Sequence, residues 1–142
     1  MREILFRGKT REGKWNESSA VFIRGELALM LTERPIKELV KDKNGELVDV
    51  IFNFFAVEKE TVGQFTGLTD KNGKKVYEGD IVTGRLLHSL PVNSVITFKD
   101  GAFGLLWNRA GYETFDAFTS LCNIEYEIIG NIHDNPELLE VE

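Results

Sequence analysis

The nineteen residues from Gln64 to Val82, QFTGLTDKNGKKVYEGDIV, constrain the fold more than any other part of the chain. Two turn signals stand between short apolar runs: Asp70-Lys71-Asn72-Gly73, then Glu78-Gly79-Asp80 just before Ile81-Val82. An Asp at the start of such a turn hydrogen-bonds the backbone ahead of it, and a Gly supplies the left-handed position that closes a type I turn with a bulge. In the second signal Gly79 permits an unusual backbone angle, and Asp80 can fasten the corner by accepting backbone N–H groups. The segment therefore reads as strand, turn, strand, tight corner, strand. None of it is catalytic machinery by pattern.

Asp-Lys-Asn-Gly also occurs at residues 42–45, again ahead of an apolar run. This is a repeated turn, not a repeated domain. A calcium loop starting at Asp70 is disfavoured, because Lys74 stands at the fifth position and Ile81 where a bidentate Glu is required.

The same punctuation runs through the rest of the chain. Thr10-Arg11-Glu12-Gly13 follows an alternating start at Ile4 and Phe6, and Gly25 lies between Ala20–Ile23 and Leu27–Leu31. Lys99-Asp100-Gly101 joins Ser94–Phe98 to Ala102–Trp107, a strong hairpin signal. Ile124–Ile129 alternates with Glu125 and Glu127 as an edge-like final strand. The spacing of Phe115, Phe118 and Leu121 suggests a short helical turn. After Pro35, the spacing of Ile36, Leu39 and Val40 fits either a short helix or a strand, so residues 33–62 are not fixed by pattern. Asn135-Pro136-Glu137 carries the features of a helix start, which places Leu138 and Leu139 on a terminal helical turn. The expected architecture is mainly β, with a small barrel or roll in the C-terminal half (63–142) and a β-rich, or α+β, N-terminal region (1–62) packed on it.

Val48–Val57, VDVIFNFFAV, is apolar on both faces once past Asp49. A strand with one wet face does not look like this, so it is either covered on both sides by other elements or buried between subunits. A homo-oligomer is one expectation that follows.

Charge narrows the partners. Residues 1–62 hold eleven acids and eleven Lys/Arg, whereas residues 110–142 hold eight acids and no Lys or Arg. A net charge of −6 ranks nucleic-acid binding below protein binding, since phosphate contacts need clustered bases. That reading would use the Lys71, Lys74 and Lys75 turn, and would require these bases to cluster with Arg85 on one face. With 42% hydrophobic and 28% charged residues, the chain has a composition that folds. It lacks an apolar run of membrane-spanning length and an apolar leader after Met1, and its lone Cys122 fits a reducing compartment, so a cytoplasmic protein is expected.

Catalysis finds little to use. Cys122 with His88 or His133 could form a nucleophile and base, but nothing marks the thiol as activated. His133, Asp134 and Glu137 are too few for a metal site without a second cluster. Asp70, Glu78 and Asp80 form the one dense carboxylate group, able in principle to hold a hard cation for a hydrolase, yet turn chemistry already accounts for at least two of them. No cofactor is implied. Tyr77, Trp107 and Tyr112 are the aromatic candidates for a binding surface, Tyr77 with its ring packed and its hydroxyl wet.

Three blocks carry a wider likeness: Arg2-x-Ile4-x-Phe6-Arg7, the central Gln64–Val82 framework, and Ile129-Gly130-Asn131-Ile132-x-x-Asn135-Pro136-Glu137-Leu138-Leu139. Together they resemble the YopX family of phage and prophage proteins, and they span nearly the whole chain in order. The resemblance implies a bacterial or phage protein whose carboxyl part is an SH3-type β-roll. It implies no reaction and carries over no catalytic residue. The chain departs from the family pattern at Gly8-Lys9, where a small residue and Trp are common, and in the apolar stretch 46–57. The reading that ranks first is a non-catalytic protein-binding or assembly module, ahead of a nucleic-acid accessory protein and a metal-assisted hydrolase.

Overall fold

A computed structural model describes residues 3–84, 92–109, 111–118 and 126–140. Arg85 and His88 lie outside these residues, as do Leu121, Cys122, Ile124 and Glu125. The chain divides into two units, Leu5–Val62 and Gly63–Glu142 with the residues before Leu5. Both are built from strands; the described helical structure is limited to the 3-10 turns Lys59–Thr61 and Pro136–Leu139 and to Phe118, which is also 3-10.

In the first unit, β1 (Phe6–Lys9) and β2 (Trp15–Ser18) form a hairpin, closed by Gly13 at φ +92° with its N–H on the Thr10 carbonyl at 2.9 Å. β3 (Val21–Arg24), β4 (Leu27–Lys41) and β5 (Leu47–Val57) form an antiparallel sheet in that order. Its core is small: Ala28, Met30 and Val57 are buried, with Phe6, Val21, Phe55 and Val62 packed on them. Gly8 of β1 is buried because a Cβ there would lie 2.9 Å from Val57 Cγ2 and 3.3 Å from Met30 Sδ.

The segment after Pro35 resolves as strand. Ile36, Glu38 and Val40 of β4 face Phe52, Val50 and Val48 of β5, so cross-strand partners override the weak helical spacing. Pro35, which has no N–H to give a ladder, falls in the register break between Leu31 and Ile36.

The second unit contains β6 (Gly63–Thr69) paired with β7 (Lys75–Tyr77), and a five-stranded antiparallel sheet. Its order is β11 (Tyr112–Ala117), β10 (Ala102–Arg109), β9 (Val92–Lys99), β8 (Asp80–Gly84), β12 (Tyr126–Asn131). The fold is mainly β, as its punctuation implied, and no pairing closes β11 onto β12 among the described residues. Val76, Val82, Ile96 and Leu105 form the buried core, against which Trp107, Phe118, Tyr126 and Ile128 pack. Of the residues read as a short helical turn, Phe115 belongs to β11, Phe118 has 3-10 conformation, and Leu121 lies outside the described residues. Leu106 faces Phe115 and Trp107 faces Thr114, an aromatic and β-branched pairing that suits a strand. Asp100 (φ 52°) and Gly101 (φ 81°) make the β9–β10 turn with two left-handed residues, which matches the right-handed strand twist.

Candidate functional site

The two Asp-Lys-Asn-Gly turns have the same internal geometry. In each, the Asp Oδ1 accepts two backbone N–H groups at 2.9 Å, those of Asn44 and Glu46 at Asp42 and those of Asn72 and Lys74 at Asp70. Gly45 and Gly73 stand at φ +79° and +80°. Asp70 then does more than Asp42. It is buried, and its Oδ2 accepts the Ile128 N–H of β12 at 3.1 Å. Burial opposes ionisation of this carboxyl, but the N–H groups of Ile128, Lys74 and Asn72, with the Lys74 charge, outweigh it and hold the carboxyl below its ordinary range.

The corner at Gly79 is fixed on three sides. Its N–H donates to Ile96 O at 2.8 Å, its carbonyl accepts from Ile132 N at 2.9 Å, and the Glu78 N–H donates to Gln64 O at 2.9 Å. Asp80, 2% exposed, accepts the Tyr77 N–H on Oδ2 at 2.8 Å. Asp70 and Asp80 are thus bound to backbone donors, and no three His, Cys, Asp or Glu side chains among the described residues are grouped to hold a metal. The basic turn is charge-balanced in the same way, with Lys71 3.4 Å from Glu127 and Lys75 3.5 Å from Glu3.

The aromatic candidates separate. Tyr77 does not stand at a wet rim: it is 3% exposed, hydroxyl included, with its ring 5.6 Å from Phe65. The corner that Asp80 pins turns this side chain inward. Trp107 is half-buried and donates its Nε1–H to Asp116 Oδ2 at 2.8 Å. Tyr112, beside the β10–β11 turn, is 78% exposed. At the C-terminal block, Asn131 Oδ1 accepts the N–H groups of His133 and Asp134, and Asn135 Oδ1 accepts the Asn131 N–H at 3.3 Å instead of capping Pro136–Leu139. His133, Asp134 and Glu137 therefore belong to a built turn and its short 3-10 end.

The β4–β5 arm is a long exposed surface that carries apolar side chains. Residues 33–41 are all exposed, and so are most of Leu47–Ala56. Facing pairs share a side of the ribbon. Lys37/Ile51, Leu39/Asp49 and Lys41/Leu47 form one side, and Ile36/Phe52, Glu38/Val50 and Val40/Val48 the other. Leu39, Leu47 and Ile51 are 67%, 64% and 63% exposed. Among the described residues, no element covers both sides of most of Val48–Ala56, contrary to one of the two expectations for it. The pattern of β5 flagged half of this surface. The β4 half went unread because Ile36, Leu39 and Val40 fit two periods, although the turn at Asp42 and the apolar run beyond it were a hairpin signal.

A family model described as YopX protein matches residues 6–140. Among solved structures, the chain is similar to the one titled "Crystal structure of protein EF1440 from Enterococcus faecalis". The two are 26% identical, with a TM-score of 0.57, over 96% of this chain and 98% of that one. No curated protein matches it.

Proposed function

This chain belongs to the YopX family, and from that premise we propose that it is a phage or prophage-type cytoplasmic protein that works without catalysis, as a protein-binding or assembly module. The observation that carries the reading is the β4–β5 arm, whose two sides present Leu39, Leu47 and Ile51, and Ile36, Val48 and Phe52, to solvent. An apolar surface of this kind on a folded chain marks a contact site for another protein surface. The fold by itself assigns no function. Tyr112 is a secondary contact candidate; Trp107 and Tyr77 act in packing.

The competing readings have less to stand on. A nucleic-acid interface would need Lys71 and Lys75 turned to phosphate, and they lie beside Glu127 and Glu3. A metal-assisted hydrolase would need the Asp70 and Asp80 oxygens that now accept backbone N–H groups.

The test is recovery of the tagged chain from bacterial lysate with and without nuclease, alongside a Leu39→Lys/Ile51→Lys variant. A protein recovered in stoichiometric amount after nuclease, and lost with the variant, is expected. Recovery that vanishes with nuclease overturns the reading in favour of nucleic acid, and a partner indifferent to the variant moves the site off the arm.

A further inference from the structure

β5 has β4 on one side and no paired strand on the other among the described residues, so its outward backbone N–H and C=O groups face an open edge, except at Val57, which is buried against Gly8. β3 reaches only as far as the Val21–Met30 pair, and beyond it the sheet is two strands wide. A two-stranded ribbon is marginal in water, and a long apolar edge is a template for another strand. Taking the protein-binding reading as its basis, we propose that the arm's partner is β5 of a second copy of this chain, added antiparallel across a two-fold axis at Ile51.

The register follows from where β5 is polar. Across a two-fold axis perpendicular to a sheet, the numbers of two facing residues average to the residue on the axis. Asp49 and Asn53 are the polar residues of Leu47–Val57. With Ile51 on the axis, Asp49 faces the partner's Asn53, and each apolar residue from Leu47 to Phe55 faces another: Leu47 the partner's Phe55, Val48 the partner's Phe54, Val50 the partner's Phe52. Moving the axis to Val50 or Phe52 sets Asp49 against Ile51 or Phe55, and moving it to Asp49 sets two carboxylates face to face. Like charges directly opposite destabilise a sheet, while a carboxylate facing an amide gains a hydrogen bond. Asp49 is also 3.4 Å from Lys37 of its own chain, which offsets its charge before the edge closes.

Charge balance favours the same occupant. Residues 36–52 carry four acids and three lysines, so two arms approach without the repulsion that two copies of residues 110–142, with eight acids and no bases, would meet. The product is a four-stranded sheet, β4-β5-β5-β4, in which each arm gains the width it lacks alone.

Sedimentation velocity of the purified full-length chain over a concentration series tests this directly. A concentration-dependent dimer is expected. Asn53→Asp sets carboxylate against carboxylate at two symmetric places and should raise the dimer Kd by roughly ten-fold or more. The swapped double variant, Asp49→Asn with Asn53→Asp, restores a carboxylate–amide pair on each side and should recover the dimer. Both positions are exposed, so circular dichroism checks that the fold survives. In a Cys122→Ser background, Ile51→Cys should cross-link to itself through a short thiol-to-thiol reagent. Leu47→Cys should not, because the two copies of residue 47 stand eight residues apart along the strand, about 26 Å. A monomer at every soluble concentration, or a dimer indifferent to Asn53→Asp, overturns the proposal. A monomer that still loses a lysate partner on Leu39→Lys/Ile51→Lys sinks self-pairing while leaving the binding reading standing.

Discussion

The Asp70 Oδ2 accepts the backbone N–H of Ile128 at 3.1 Å, a bond between positions 58 residues apart. A local turn thereby becomes a tertiary anchor, and the Lys71 N–H adds to it by donating to Tyr126 O at 3.0 Å. Asp42 builds the same turn with no such reach.

Removing each Asp should therefore have unequal effects. Asp42→Ala loses two exposed turn bonds and should cost about 0.5–1 kcal/mol. Asp70→Ala strands the partly buried Ile128 donor as well, and should cost about 2–3 kcal/mol. Urea unfolding of the two variants side by side checks the difference; equal losses would mean that the β12 bond contributes nothing.

The acid limb of the stability curve should depend on Asp70. Its carboxyl titrates below the ordinary value of 3.8 in the folded chain, since its N–H donors outweigh burial. A group whose folded pKa is depressed contributes stability above the unfolded pKa and loses it as pH falls through the folded one. Stability should thus decline as pH drops below about 4, and Asp70→Asn should flatten that decline. Thermal unfolding at several pH values reads both outcomes. Tyr126 supplies a second probe. Burial, then the Asp70 charge, raises its phenol above 10.0, so its ultraviolet titration should shift towards the ordinary value in Asp70→Asn.

Gly104→Ala should be among the most damaging single-methyl additions in the second unit. A Cβ there meets the Asp116 carbonyl and lies 2.8 Å from the Phe115 ring, with backbone on one side unable to yield. A loss of about 1–3 kcal/mol is expected. Gly8→Ala should cost less, because the atoms it meets belong to the Val57 and Met30 side chains. Melting temperatures rank the pair.

Divalent cations should leave the melting temperature unchanged, because the Asp70 and Asp80 oxygens already accept backbone donors. A magnesium or manganese titration by differential scanning fluorimetry checks this. A stabilisation lost in Asp80→Ala would revive the hydrolase reading.

Turns were legible in the residues and one stretch of partners was not. Asp and Gly at fixed offsets state a backbone geometry locally, so the turns at Gly13, Gly25, Asp42, Asp70 and Asp100 could be placed without tertiary information. Ile36, Leu39 and Val40 could not, because what makes them a strand is Phe52, Asp49 and Val48 across the ladder. Tyr77 failed for the opposite reason. An amphipathic ring suits a rim or a core equally well, and its place is set by tertiary neighbours such as the Phe65 ring, which the local sequence does not state. The Gln64–Val82 framework was readable as architecture but silent about any contact surface, since Asp70 and Asp80, its turn carboxylates, are bound to backbone N–H groups within the fold.

The pairing of β8 with β12, Asp80 with Asn131 and Val82 with Ile128, also orders events during synthesis. All strands of the β3–β4–β5 sheet exist once Val57 has been made. β8 lines the second core with Ile81 and Val82, yet waits some fifty residues for the strand that covers its edge, and Asp70 waits as long for its third donor. A nascent chain that has emerged from the ribosome as far as Lys99 but not yet to Tyr126 therefore has its first unit complete while its second still shows a core-lining strand with one edge unpaired, which makes that interval the one in which a chaperone would find something to hold.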